Sequence, residues 1–273
     1  MTIPLNWYII LLNYSQPKVY PQMNKSIALA VVIYISPVVA IATTIDGIEI
    51  GSGSFSFVAT TVMGRVNNIN NNSTKRVGDV LGGVGRVTEI FSESDSVWQN
   101  GVNNRELTFV FDNYVASYVS STVIEYTGGS VKFYNDDTAD SNYRTGTGFA
   151  DGTVWLDLSS TSFVSDLGHV VSLASTGTLL GTKIAGTNVG LLSVTGFGAA
   201  DTFFDTNAFI ANGTNYTADW DFTSSFSNRA APSFVYGTVG TTNLNGVQTV
   251  PEPSSLALFG IALVGFGLAY KRN

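Results

Sequence analysis

The sequence predicts an all-β domain, an antiparallel β-sandwich or jelly-roll-like fold. Gly, Ser, Thr and Asn recur at short intervals between runs rich in Val, Phe, Tyr and Thr, and such runs bounded by turn residues are typical of strands. Between residues 43 and 250, no segment longer than about ten residues keeps a helical period. Turn signals between the candidate strands recur at intervals of about 8 to 15 residues, which favours antiparallel pairing over a parallel sheet.

The first strand is predicted over residues 50–62, where apolar and polar residues alternate between Gly and Ser. The Asn-rich run 67–74 follows and is predicted to be a loop. Residues 78–89 carry glycines among Val and Leu. Because glycine inside a strand weakens it and often marks a bulge, this segment is predicted to be a bent or bulged strand.

The clearest strand is predicted over residues 106–117, where Leu and Phe occupy every second position and form one apolar face. A hairpin is predicted next, with arms 122–126 and 131–134. The turn between the arms contains Gly128 and Gly129, and glycine readily adopts the positive φ that a primed turn requires.

The remaining strands are shorter. Alternation predicts a strand over 154–158, another over 191–197, and a final ribbon over 209–223 that turns at an Asn-Gly pair. No repeat of fixed period occurs, which argues against a propeller or a β-helix.

Composition excludes several classes of function. The 273 residues carry a net charge of −7, and four of the thirteen basic residues lie in the terminal segments. Nucleic acid is therefore not an expected partner. There is no cysteine and a single histidine, His169, so thiol chemistry and any two-histidine metal site are excluded.

The C-terminal segment 251–273 combines three features that point to a membrane. These are the extended motif Pro251, Glu252 and Pro253, the uncharged apolar run 256–270, and the basic residues Lys271 and Arg272. The apolar run covers roughly 22 Å as a helix, which is a marginal span of the hydrocarbon core. Basic residues beyond the helix favour the cytoplasmic side, so the upstream chain is expected outside.

This tripartite tail resembles the PEP-CTERM sorting signal of exopolysaccharide-producing Gram-negative bacteria. The resemblance rests on Pro251, Glu252 and Pro253, the apolar run and the basic end. It implies recognition and cleavage by exosortase, transient anchoring in the inner membrane, and delivery to the cell surface or extracellular matrix. It also implies exopolysaccharide as a partner. The alternative interpretation is an ordinary C-terminal anchor.

The N-terminal residues predict a secretory signal peptide. A basic start at Met23 precedes an apolar centre, and Ala40 and Ala42 form an A-x-A cleavage site. We therefore assign residues 1–42 to a leader, with Met23 as the expected true start.

The leader and the tail define the remaining organisation. Residues 43–230 are predicted to form the β-sandwich domain. Residues 231–250, rich in Ser, Thr, Asn and Gly, are predicted to be a tether to the sorting segment 251–273.

The candidate ligand sites are few. The loop 135–147 contains Asp136, Asp137 and Asp140, and Asp151 follows downstream. The carboxylates of these residues are the oxygen ligands that calcium prefers. A solvated acidic loop is the alternative, and no other cofactor is expected. Trp155 is predicted to face away from the apolar side of its strand and to stack on a glycan.

Catalytic patterns are weak. Asp219 and Asp221 flank Trp220 and form the outline of a glycosidase carboxylate pair, although a polar strand face has the same pattern. His169 is predicted to be an exposed loop residue.

Three functional hypotheses follow. The first is an exported non-enzymatic protein of the cell surface or matrix that contributes to exopolysaccharide or biofilm structure or to aggregation. The second is a secreted lectin-like module that binds a carbohydrate with the help of calcium. The third is a secreted glycoside hydrolase.

Overall fold

A computed structural model describes the central part of the chain. The described residues are 43–50, 53–67, 75–179, 184–210, 217–228 and 237–247. The predicted cleavage site at Ala40 and Ala42 and the predicted sorting segment 251–273 lie outside these residues.

The described chain is built almost entirely from strands. They are β1 Thr43–Ile45, β2 Ile48–Ile50, β3 Ser54–Asn67, β4 Val80–Ser92, β5 Asp95–Gln99, β6 Glu106–Val119, β7 Val123–Thr127, β8 Ser130–Asp136, β9 Thr153–Thr161, β10 Phe163–Val164, β11 Val170–Val171, β12 Leu173–Thr178, β13 Ala185–Val194, β14 Phe209–Ile210, β15 Thr217–Ala218, β16 Trp220–Asn228 and β17 Thr238–Val247. A short helix α1 spans Asp201–Phe204, and a 3₁₀ turn spans Val102–Asn104. The predicted all-β class is confirmed.

The main sheet closes on itself. Starting from β3, each strand pairs with the next in the order β4, β6, β8, β9, β13, β16 and β17, and β17 pairs again with β3. Every pairing is antiparallel. The two facing layers of the predicted sandwich therefore belong to one continuous sheet, and the core lies between them.

Two long strands change partners along their length. The first half of β6 pairs with β8 and the second half with β7. In the same way, β13 pairs first with β12 and then with β9. β7 and β12 also pair with each other. At one end of the sheet, β7 and β12 therefore lie between β6 and β13, in the places that β8 and β9 hold at the other end.

The predicted hairpin between β7 and β8 is wrong, although the positive φ predicted for its two glycines is confirmed. Gly128 and Gly129 both have positive φ, 70° and 110°. The strands on either side do not pair with each other. Both bond to β6, at Val115–Val119 for β7 and at Glu106–Asp112 for β8, because the 14-residue β6 is long enough to hold two partners in tandem on one edge.

The predicted tether 231–250 is wrong over residues 238–247. These residues form β17, which bonds to β16 on one side and to β3 on the other. The composition is that of a linker, yet Thr242, Leu244 and Gly246 share the inward face at the two-residue spacing of a strand. The domain therefore extends at least to Val247.

Aromatic rings fill one end of the interior. Phe57 lies 5.0 Å from Trp220 and 6.1 Å from Phe133 between ring centroids. Phe204 on α1 packs 4.9 Å from Trp220. Because such tilted and edge-on pairs add to the stabilisation from burial, this cluster is the main hydrophobic core of the described chain.

The β1–β2 hairpin covers that aromatic end. Ile45, Ile48 and Ile50 are buried in the same cluster. The indole N–H of Trp155 donates to the backbone oxygen of Ile45 at 3.2 Å. This end of the sheet is therefore closed by packed side chains.

Asp201 is a buried acid at this closed end. It is 4% exposed, and neither carboxyl oxygen has a hydrogen-bond partner among the described residues. Burial raises the pKa of the Asp201 carboxyl to about 6, because removal from water penalises the charged form.

Glycines in β4 allow aromatic rings to lie over the strand. Gly85 is paired with Phe109, and a Cβ added at Gly85 would lie 2.1 Å from Cζ of that ring. At Gly83 an added Cβ would lie 2.5 Å from Cζ of Phe111. The predicted irregularity of this segment is confirmed by a register shift between Leu81 and Gly83.

We expect Gly85→Ala to lower the free energy of unfolding by about 1–3 kcal/mol, because the added methyl group overpacks the interior. Urea unfolding followed by tryptophan fluorescence measures the loss. Gly237→Ala is the matched control, since a Cβ there meets nothing within 4 Å. Equal urea midpoints for the two variants would show that the Phe109 ring moves aside without a loss of stability.

We expect Asp201→Asn to stabilise the fold at neutral pH. The folded-state pKa of about 6 exceeds the ordinary value of 3.8, so the stability linked to the bound proton is present below pH 3.8 and is lost as pH rises through 6. One pKa unit corresponds to about 1.4 kcal/mol, and partial screening by solvent leaves a gain on the order of 1–2 kcal/mol at pH 7.

Thermal unfolding of wild type and Asp201→Asn between pH 4 and 8 measures this effect. The difference in stability is expected to shrink toward pH 4, where the wild-type carboxyl is protonated in the folded state. A difference that stays constant across the range would contradict a buried titrating carboxyl.

Candidate functional site in the interior of the sheet

The predicted calcium ligands are partly brought together. Asp136, Asp140 and Asp151 each place a carboxylate oxygen within 4.8 Å of the others. Asp137 does not join them, because its carboxylate pairs with the Arg105 guanidinium at 2.8 Å. Asp151 lies downstream of the predicted loop and completes the cluster in place of Asp137.

A buried carboxylate holds this acidic loop in place. Glu106 is fully buried and accepts the backbone N–H groups of Asp140 at 3.0 Å and Ser141 at 2.8 Å, together with the Ser141 hydroxyl at 2.7 Å. The Arg86 guanidinium lies 3.9 Å away. Glu106 is therefore a structural residue that positions Asp140.

The prediction that Trp155 is exposed is wrong. Trp155 is fully buried, whereas Val154 is 38% exposed. The register between β8 and β9 shifts there: Phe133 faces Leu156, and Tyr134 faces Val154. Trp155 is the extra residue of this bulge, so Trp155 and Leu156 both point inward, and Trp155 offers no surface for a glycan.

The Asp219 and Asp221 pair differs from a glycosidase pair in its bonding. Asp219 is buried and accepts three backbone N–H groups, from Val194 at 2.8 Å and from Thr206 and Asn207 at 2.6 Å. Asp221 accepts from the Asn245 amide at 3.4 Å, and burial raises its pKa. Asp219 therefore ties the end of β13 to residues 206–207, between α1 and β14.

His169 is exposed as predicted, with half of its side chain in solvent, but it has a buried partner. Its Nδ1 lies 2.5 Å from Oε2 of Glu125, which is 1% exposed. The ring also packs 5.5 Å from Tyr118. The sequence showed no sign of this pair, since the two residues lie on β7 and on the loop between β10 and β11.

The interior of the sheet contains two adjacent cavities that the sequence did not indicate. Their volumes are about 60 and 40 Å³, and Met63, Leu81 and Asn188 line both. The larger cavity opens at the end opposite the aromatic cluster. The smaller lies deeper, where Phe109, Phe222 and Leu244 contribute to its wall.

A polar band crosses the cavity wall. Asn188 accepts the Ser175 hydroxyl at 2.5 Å and donates to the Ser224 hydroxyl at 2.8 Å. The hydroxyls of Thr61 and Thr242 lie 3.3 Å apart. These partners satisfy buried polar groups inside an apolar interior, where unpaired groups are costly.

One polar group on the wall lacks a partner. Tyr114 is 1% exposed and lines the smaller cavity. Its hydroxyl is buried and has no hydrogen-bond partner among the described residues. Burial raises the pKa of Tyr114, so the hydroxyl remains a neutral donor.

The mouth of the larger cavity carries three cations and one carboxylate: Arg65, Lys75, Arg76 and Asp79. Asp79 is nearly buried. It pairs with the Arg65 guanidinium at 3.0 Å and accepts the Arg76 backbone N–H at 2.9 Å. The mouth is therefore positive in a protein of net negative charge.

Sequence reasoning missed this site because its residues are far apart in the chain. The available signal was the inward register of β3, where Thr61 and Met63 continue the face of Phe55 and Phe57. A polar residue on an apolar face points to an interior polar contact.

The described chain is thus an antiparallel all-β domain with a cavity inside a closed sheet. Residues 249–272 match the PEP-CTERM protein-sorting motif. The chain therefore carries a PEP-CTERM sorting motif, which supports export and a C-terminal membrane anchor before processing and implies exosortase as the processing partner.

Other comparisons add no functional information. No curated protein matches the chain. A solved structure titled "A nonspecific heme-binding cyclase catalyzes [4 + 2] cycloaddition during neoabyssomicin biosynthesis" is 13% identical and covers 77% of this chain and 75% of that chain, with a TM-score of 0.26. A score this low carries no argument about fold or activity.

The predicted membrane helix 256–270 lies outside the described residues. Among the residues that are described, no helix is both long and apolar enough to cross a membrane.

Proposed function

We propose that this PEP-CTERM protein is a non-enzymatic component of the cell surface or extracellular matrix that contributes to exopolysaccharide or biofilm structure or to aggregation. The observation that carries the proposal is the sorting motif at residues 249–272, since the motif implies delivery out of the cell. The closed all-β domain is then the part of the chain that acts after export.

The bonding of the buried acids supports a non-enzymatic role. Glu106 and Asp219 each accept three hydrogen bonds from groups of their own domain. A carboxylate saturated by such donors stabilises the fold and has little capacity left for proton transfer. These acids therefore favour a matrix role over hydrolysis.

The charge of the protein sets a condition on an exopolysaccharide partner. The chain carries a net charge of −7, so an acidic polysaccharide would be repelled. A divalent cation that bridges carboxylates on the two molecules removes this repulsion.

The sorting part of the proposal predicts a change in location. In a host that expresses exosortase, wild-type protein is expected outside the cell as a shortened form. A variant with Pro251→Ala, Glu252→Ala and Pro253→Ala is expected to stay full-length in the inner membrane, because the processing enzyme no longer recognises it. Cell fractionation and mass spectrometry of the C terminus measure both outcomes.

If wild type and the triple variant both remain full-length in the membrane, the tail is a plain anchor and the matrix role loses its support.

A calcium-dependent carbohydrate-binding module is the second candidate. The observation that favours it is the cluster of Asp136, Asp140 and Asp151, whose oxygen ligands suit calcium. An exposed acidic cluster at the surface also offers a place where a bound ion would meet the hydroxyl groups of a sugar.

This candidate predicts stabilisation by calcium. Extracellular calcium sites have dissociation constants of about 10⁻⁴ to 10⁻³ M, so 10 mM calcium, roughly 10 to 100 times these values, is expected to raise the melting temperature by a few degrees. Asp140→Asn is expected to abolish the rise. Asp137→Asn is the matched control and should keep it, because Asp137 pairs with Arg105 outside the cluster.

Differential scanning fluorimetry with calcium and with magnesium measures the response, and a glycan array with and without calcium measures binding. An unchanged melting temperature for wild type in calcium would exclude the calcium-dependent module.

A further inference from the structure

The open cavity has the charge and the lining of a site for a small anion with an apolar body. Its mouth holds the cations Arg65, Lys75 and Arg76 against the single carboxylate of Asp79. Asp79 already pairs with Arg65. The remaining positive charge belongs to Lys75 and to the exposed Arg76.

Lys75 is the cation that gains most from a ligand. It is half-buried and forms no ion pair with any residue that the structure describes. Burial and, to a smaller extent, the neighbouring Arg65 lower the pKa of the Lys75 ammonium, and Asp79 opposes them only in part. An anion at the mouth would offset both effects, since an opposite charge favours the charged form.

Behind the mouth the wall is apolar. Met63, Leu81, Ala116, Ile124 and Phe226 line the larger cavity. Such a surface stabilises an apolar ligand body by removing it from water. Met63 is unbranched and flexible, so it can adjust to the outline of a ligand.

Deeper in the interior, Tyr114 supplies a donor that the protein itself does not use. The Tyr114 hydroxyl is buried without a partner among the described residues, and a buried unpaired hydroxyl is destabilising. A ligand that carries a hydroxyl or carbonyl oxygen at its inner end would remove this penalty.

We propose that the interior cavity binds a small amphipathic carboxylate, with its carboxylate at Lys75 and Arg76, an apolar body along Met63 and Leu81, and an oxygen directed to Tyr114. The two volumes of about 60 and 40 Å³ are together smaller than the roughly 150 Å³ that holds a benzene ring. The buried body is therefore smaller than one aromatic ring, the size of a short aliphatic chain, while the carboxylate remains at the open mouth.

One half-buried cation fixes the position of the ligand's carboxylate. Because Asp79 neutralises Arg65, Lys75 is the one half-buried cation left without a carboxylate among the described residues. This site goes beyond the proposed matrix role and does not depend on sorting, so failure of either proposal leaves the other standing.

The test uses the full chain in nanodiscs of zwitterionic lipid, with empty nanodiscs to subtract partitioning. Isothermal titration calorimetry compares 4-hydroxybutyrate, butyrate and the uncharged 4-hydroxybutyramide. One site is expected for 4-hydroxybutyrate, and the amide is expected to bind at least about tenfold more weakly, because it loses a charge-assisted contact. Equal affinities for acid and amide, or no saturable binding of either, would overturn the proposal.

Lys75→Met tests the mouth. It is expected to weaken 4-hydroxybutyrate binding by about tenfold or more, to the level of the amide. Lys132→Met is the matched control, since Lys132 lies on β8 and pairs with Asp157 at 3.0 Å rather than lining the cavity. If both variants change the affinity equally, net charge and not the mouth explains binding.

Tyr114→Phe tests the inner contact. The variant removes an unpaired hydroxyl, so it is expected to fold with unchanged or higher stability. In wild type, 4-hydroxybutyrate should bind more tightly than butyrate, and the variant should lose this preference while its affinity for butyrate persists. A preference retained in Tyr114→Phe would overturn the assignment of Tyr114.

Discussion

Closure of the sheet through β4 is the constraint on which the rest of the structure depends. β4 pairs with β3 on one side and with β6 on the other, which joins the two ends of the strand order. The pairing requires Gly83 and Gly85, because the rings of Phe111 and Phe109 occupy the space of their side chains. A closed sheet leaves fewer unpaired strand edges and has an inside that must be filled, covered or left as a cavity.

The two ends of that inside have different chemistry. At one end, aromatic rings and the β1–β2 hairpin exclude water. At the other, Asn188 bridges Ser175 and Ser224, and Asp79 holds Arg65 at the mouth. Since buried polar groups need partners, this network maintains an interior that is polar in one band and apolar above and below it. The interior of the sheet thus runs from an apolar floor to a cationic opening.

Alternation of apolar residues predicted most of the strands, and its failures have physical causes. A bulge breaks the alternation in β9, so Trp155 points inward beside Leu156. β17 has a linker-like composition because Thr242 bonds inside the sheet and Gly246 makes room for the rings of Phe55 and Trp220. The order of the strands could not be predicted from the sequence. The apolar alternation along β6 does not reveal that β7 and β8 both pair with the same edge of this strand.

The sequence by itself determined the sorting motif of this protein and its all-β class. A sorting signal is a contiguous segment that a processing enzyme recognises without the rest of the fold, and strand periodicity is local. Only the tertiary structure decided where a ligand would bind. Asn188 and Met63 are 125 residues apart in the chain yet line the same cavities, because antiparallel pairing around a closed sheet brings distant strands to face one another across a common interior.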